Sequence, residues 1–257
     1  MCPINKIKSK MDLSTLLKIE YIKFFRRSNV LFFFLFLYLI ITPIGRGLDM
    51  MQEGGVVNAT DFYIGIAGSF SIFGMLLMAI FIVNSTGNEF NEGSYRKILA
   101  TGLSKKDFFT GKFLLIIIAA FFVIFFSLLI YFAFGTLAIK ASLYELINGI
   151  NPVSILNQFT ALFLAGIFGL SFIAGFRNRT IGLVFFPFWV FAELIVFLLD
   201  VTETARIPSA YFPGVAGWSL YNSSKFDSEL FIIAAIFILI FLICAWSGLI
   251  LREERSP

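Results

Sequence analysis

Few residues in this chain could carry chemistry, and their positions decide what that chemistry is. Glu193 is the one carboxylate well inside a long apolar run. An acid in that setting lines a pathway, relays a proton, bonds to a neighbouring helix, or sits in the headgroup zone beside Asp200, and the sequence leaves those readings open. Histidine is absent from all 257 residues, which removes the commonest general base and the commonest metal ligand. Gly111-Lys112 is followed by Phe113 rather than Ser or Thr, and the upstream glycine of a phosphate-binding loop is missing. ATP hydrolysis by that route is therefore not expected here. Cys2 and Cys244 fall at the N-terminus and inside an apolar run, so no disulfide framework is implied. No nucleophile–base pair and no metal site can be assembled. An intramembrane enzyme would need several ionisable groups converging in the bilayer, and only Glu193 is placed there.

The remaining polar chemistry is concentrated in residues 84–112, NSTGNEFNEGSYRKILATGLSKKDFFTGK, a charged island between two apolar runs. Gly93-Ser94 opens a short helix, Ser94 to Ala100, that Thr101-Gly102 closes. Ser104 followed by Asp107 is an N-cap with an acidic N3 residue, and it starts a helix that runs from Lys105 into the next apolar run. On the short helix Tyr95, Ile98 and Leu99 share one face, with Arg96 and Lys97 elsewhere. Glu92 and Arg96 stand at i,i+4, the spacing of a helix-stabilising pair, and Glu89 lies one turn earlier. Physics alone allows either a well-structured loop or a docking element.

The frame for these residues is a membrane. Hydrophobic residues make up 59% of the chain, and 35 Phe add bulk suited to lipid contact. Residues 1–29 are basic, with no signal peptide expected. Leu13, Leu16, Leu17, Tyr21, Phe24 and Phe25 form a stripe that Lys18, Lys23 and Arg27 avoid, which suits a helix lying in the membrane interface. Six spans follow within a transmembrane domain, 30–251: about Val30 to Ile44, Phe62 to Val83, Phe113 to Ile139, Phe159 to Phe176, Thr180 to Leu199 and Leu230 to Leu251. Ala161, Ala165 and Gly169, four apart, favour close helix packing in the fourth. Ile207 to Tyr221 is too short to cross and too apolar to be solvated, so a re-entrant or interfacial helical pair is expected there. Residues 252–257 form a short tail. With both termini inside, the cytosolic segments hold sixteen Lys or Arg and the external ones four, Arg46, Lys140, Arg206 and Lys225. The island around Ser94 is then cytosolic, and the expected location is the inner (cytoplasmic) membrane.

The pattern Glu89, Glu92-Gly93, Arg96, Thr101-Gly102, Ser104-Lys105 and Gly111-Lys112, placed between the second and third of six spans, resembles the corresponding loop of ABC-2 type transporter permeases. The resemblance implies an all-α membrane protein that forms a substrate pathway as a dimer of identical or homologous chains. It implies a coupling helix, Ser94, Tyr95, Arg96, Lys97, Ile98 and Leu99 with Thr101, Gly102, Ser104 and Lys105, that docks on two separate ABC ATPase subunits. Glu89 and Glu92 become candidate contacts to those subunits, and Glu193 a candidate of the pathway. The chain itself would need no cofactor, ATP and magnesium being held by the ATPase, and its surroundings would be lipid rather than nucleic acid. The rival reading is a membrane-embedded binding or immunity protein that acts without transport.

Overall fold

The computed structural model describes residues 58–250 apart from 69, 70, 92, 101, 102, 139 and 203–208, together with positions 37, 41, 42, 44, 45 and 48. The expected interfacial helix 1–29, most of the first span, Glu92, Thr101, Gly102 and the tail 252–257 lie outside the described residues.

Among the described residues every regular element is a helix: α1 (Ala59–Gly68), α2 (Ser71–Asn91), α3 (Ser94–Ala100), α4 (Lys105–Ala138), α5 (Leu143–Gly149), α6 (Pro152–Phe176), α7 (Arg179–Val201), a 3-10 turn (Ser209–Tyr211), α8 (Pro213–Asn222) and α9 (Ser228–Ile250). Among the described residues four helices are long and apolar enough to cross a membrane, within α4, α6, α7 and α9. These are the third to sixth expected spans. The second, Phe62 to Val83, falls on α1 and α2, with residues 69 and 70 between them.

α4 has 34 residues, about 51 Å at about 1.5 Å per residue, against a hydrocarbon core of about 30 Å. It is therefore longer than such a core is thick. Ser104 caps it: the Asp107 N–H donates to Ser104 Oγ at 3.1 Å and the Ser104 N–H to Asp107 Oδ2 at 3.0 Å. That reciprocal pair is the one the spacing Ser104–Asp107 implied.

α6 is the centre. In its apolar window 72% of residues are buried, against 17% in α7 and in α9, so those two helices give most of their surface to the surroundings. Close approach explains the difference. A Cβ on Gly169 would stand 2.7 Å from Ala79 O, and one on Gly248 2.9 Å from Ala174 O, so α2 and α9 both meet α6 backbone to backbone. Ala161 and Ala165 are buried on the same helix.

α6 begins at Pro152, seven residues before the expected start at Phe159. Hydropathy rejects Ser154, Asn157 and Gln158, yet all three are buried, and each has at least one hydrogen bond to offset the cost. Gln158 Nε2 donates to Ser154 Oγ at 3.1 Å, and Asn157 Nδ2 donates to Ser223 O and Lys225 O at 3.1 Å each. Asn151 caps the helix with Pro152 at its first position. Just ahead, Ser142 and Glu145 form a capping box that starts α5, where the sequence reading had only a loop.

Candidate functional site

The end of the bundle that carries α3 is a cluster of aromatic and cationic side chains. α2 stops because Gly93 takes a left-handed backbone, φ 65°, one residue before α3 begins. The expected Glu92–Arg96 pair involves Glu92, which lies outside the described residues.

Tyr95, in the first turn of α3, is 2% exposed. Its ring lies edge-on to Phe90 of α2 and to Phe108 of α4, centroids 4.9 Å away in each case, and its hydroxyl reaches Leu249 O of α9 at 3.5 Å. Leu103, Phe108, Ala174 and Leu249 complete the cluster. Arg177 closes it from α6. It is the C-cap of that helix at φ 51°, its guanidinium lies 5.5 Å from the Phe90 ring and 5.7 Å from the Tyr95 ring, and Nη2 donates to Gly248 O at 3.2 Å. A seven-residue helix, too short to be stable alone, is thus fixed to the ends of α2, α4, α6 and α9. On its other side Arg96 and Ala100 are exposed and Leu99 is half-buried; Lys105 is half-buried at the start of α4. The side chains of Ser94, Lys97 and Ile98 lie outside the described residues.

Glu89 departs from the expectation of an exposed acidic contact. It is 3% exposed and faces Lys112 of α4 at 3.0 Å, Lys112 being 0% exposed. The Lys112 ammonium also lies 5.3 Å from the Phe108 ring. The pair therefore joins α2 to α4 inside the bundle, beneath the α3 cluster. Sequence reasoning counted Lys112 only among the cytosolic cations of the island; its neighbours Phe108, Phe109 and Phe113 were the signal that it could be enclosed.

At the opposite end, Glu193 is 4% exposed. Trp189 Nε1, one turn earlier on α7, donates to its Oε1. The Val215 N–H donates to its Oε2 at 2.9 Å. Val215 lies in the first turn of α8, whose own N-cap, Phe212, provides no side-chain acceptor. Glu193 therefore serves as the cap from a neighbouring helix, its negative charge at the positive end of α8. A Cβ on Gly214 would overlap Glu193 Oε2, so a larger residue there would displace the carboxylate from the α8 N-terminus. Two turns further along α7, Asp200 accepts from the Ser209 N–H at 3.0 Å and from Ser209 Oγ. These two carboxylates on one face of α7 hold the segment leading into α8. Beside Glu193 lies a cavity of about 70 Å³, walled by α2, α6, α7 and α8. Sequence reasoning singled out Glu193 but not Trp189 or Gly214; the spacing Trp189–Glu193, i to i+4, carried the first of these. Among the described residues no group of His, Cys, Asp and Glu could hold a metal ion.

Comparison with known proteins agrees with this architecture. A family model described as "ABC-2 family transporter protein" matches residues 16–193, which is more than half of the chain and includes α3, α4 and α6. No curated protein and no solved structure matches. With its helical bundle of apolar spans and this match, the chain belongs to the ABC-2 transporter family, as a multi-pass membrane permease of the ABC transporters.

Proposed function

We propose that the chain is the membrane subunit of an ATP-driven exporter, working as a pair of permease chains, identical or homologous, with two separate ATPase subunits that bind ATP and magnesium. In this reading it crosses the cytoplasmic membrane six times, with both termini and α3 on the cytosolic side, as the sixteen-to-four bias of Lys and Arg supports. α3 is the coupling helix. Its outward residues, with Arg96 and Ala100 exposed, meet the ATPase, and its inward residue Tyr95 passes the displacement to the bundle. α8 is re-entrant from the far side, its N-terminus held by Glu193, about 12 Å in from Val201 at about 1.5 Å per residue. Glu193 belongs to the pathway.

The observation that carries this reading is the fastening of Tyr95. A short helix bonded or packed to four span ends moves those ends when it moves, whereas an ordinary surface loop would not need such fastening. The test is purification of the tagged chain from its native membrane, followed by reconstitution. A stoichiometric ATPase partner and ATP-dependent movement of cargo support the proposal. A chain that purifies alone and keeps its phenotype when ATPase subunits are absent is instead a binding or immunity protein.

A further inference from the structure

The carboxylate of Glu193 is enclosed and has only neutral donors, Trp189 Nε1 and the backbone N–H groups of Val215 and Gly214, with no cationic partner among the described residues. Charge removed from water without a countercharge is strongly unfavourable. A carboxylate has about four acceptor positions, so these neutral donors still leave it with unused capacity. The cavity beside it is otherwise apolar and aromatic, with Leu164, Phe168, Trp189, Phe197 and Trp218 in its wall. Phe197 and Trp218, both half-buried, meet edge-to-face at 4.6 Å across α7 and α8 and form its rim.

We propose that this cavity binds the head of a cation-bearing amphiphile of the alkylammonium type, with Glu193 as its countercharge. Aromatic faces around a carboxylate supply what an ammonium loses on leaving water, and the ring quadrupoles favour the cation over a neutral head of equal size. The volume, about 70 Å³, admits the head and its first carbons, since one water occupies about 15 Å³ on the same measure. The alkyl chain continues past the Phe197–Trp218 rim into the bilayer. This deepens the pathway role given to Glu193 and rests on that reading for its purpose, whereas binding itself needs no ATPase.

The experiment uses the full chain in lipid nanodiscs, with Trp246→Phe so that fluorescence reports Trp189 and Trp218 alone. Dodecylammonium is titrated against dodecanol and dodecanesulfonate. The expected result is a saturable change with dodecylammonium, at least about tenfold weaker binding of the other two, and a loss of about tenfold or more in Glu193→Gln. Because Glu193→Gln also disturbs the cap of α8, Val190→Phe is measured beside it. That change fills the cavity from its wall and leaves the bonds of Glu193 in place, so it too abolishes the response. Equal response to dodecanol, or unchanged binding in Val190→Phe, overturns the site. Binding that persists where no ATPase partner is found keeps the site and removes the transport reading; the reverse pattern does the opposite.

Discussion

Arg177 and Tyr95 are 82 positions apart and meet as cation and ring, guanidinium carbon to centroid 5.7 Å. The contact joins the C-terminus of the most buried helix, α6, to the small helix α3. Tyr95→Ala removes the ring from between Phe90 and Phe108 and should cost about 3–5 kcal/mol, the range for a large aromatic deleted from a core. Tyr95→Phe keeps the ring and gives up the long hydroxyl contact to Leu249 O, 3.5 Å, so it should cost far less than Tyr95→Ala. Thermal unfolding of the detergent-solubilised protein separates the two.

The Glu89–Lys112 pair makes a double-mutant prediction. Lys112→Met alone leaves a buried carboxylate without its ammonium and should destabilise by about 3–5 kcal/mol. Adding Glu89→Leu should recover most of that loss, because removing both charges removes both desolvation penalties. Thermal stability and expression level of the single and double variants test it. No recovery in the double variant means the pair's other contacts dominate.

Two glycines should behave in opposite ways. Gly169→Val would force side-chain atoms into the Ala79 backbone and should abolish the folded protein. Gly111, in α4, has open space where a Cβ would go. Gly111→Ala should therefore be neutral or stabilising by up to about 1 kcal/mol, the helix-propensity gain. Monodispersity on gel filtration distinguishes the outcomes.

Glu145 gives a pH dependence. The backbone N–H and hydroxyl of Ser142 hold its carboxyl below the ordinary value of 4.5. A depressed folded-state value means that unfolding of α5 takes up a proton. The contribution is therefore full above the ordinary carboxylate range and lost as pH falls through the lowered value. Amide protection in α5, followed by hydrogen exchange, should decline below pH about 4. In Glu145→Ala it should be weaker at neutral pH and flat across the same window.

Much of this fold was legible because it rests on local chemistry. Ser104 with Asp107 announced α4, Ser94 to Ala100 emerged with the expected bounds, and Ala161, Ala165 and Gly169 announced the packing of α6. What was hidden depends on partners distant in sequence. Asn157 looks too polar for a span until Ser223 and Lys225 offer their carbonyls. Lys112 looks solvated until Glu89 faces it. Glu193 announced itself by position, but its cap role required α8 to arrive from 22 residues away. The capping box Ser142–Glu145 was readable and was passed over because the segment between spans was taken for a loop.

The central claim is that the exposed face of α3 meets an ATPase. The most direct measurement places one cysteine there, Arg96→Cys with Cys2→Ser and Cys244→Ser, and crosslinks it in native membranes. An adduct with a nucleotide-binding subunit, whose yield changes when ATP is added, is the predicted result. Labelling of that cysteine by an impermeant maleimide from outside the intact cell, with no protein adduct, would contradict the account.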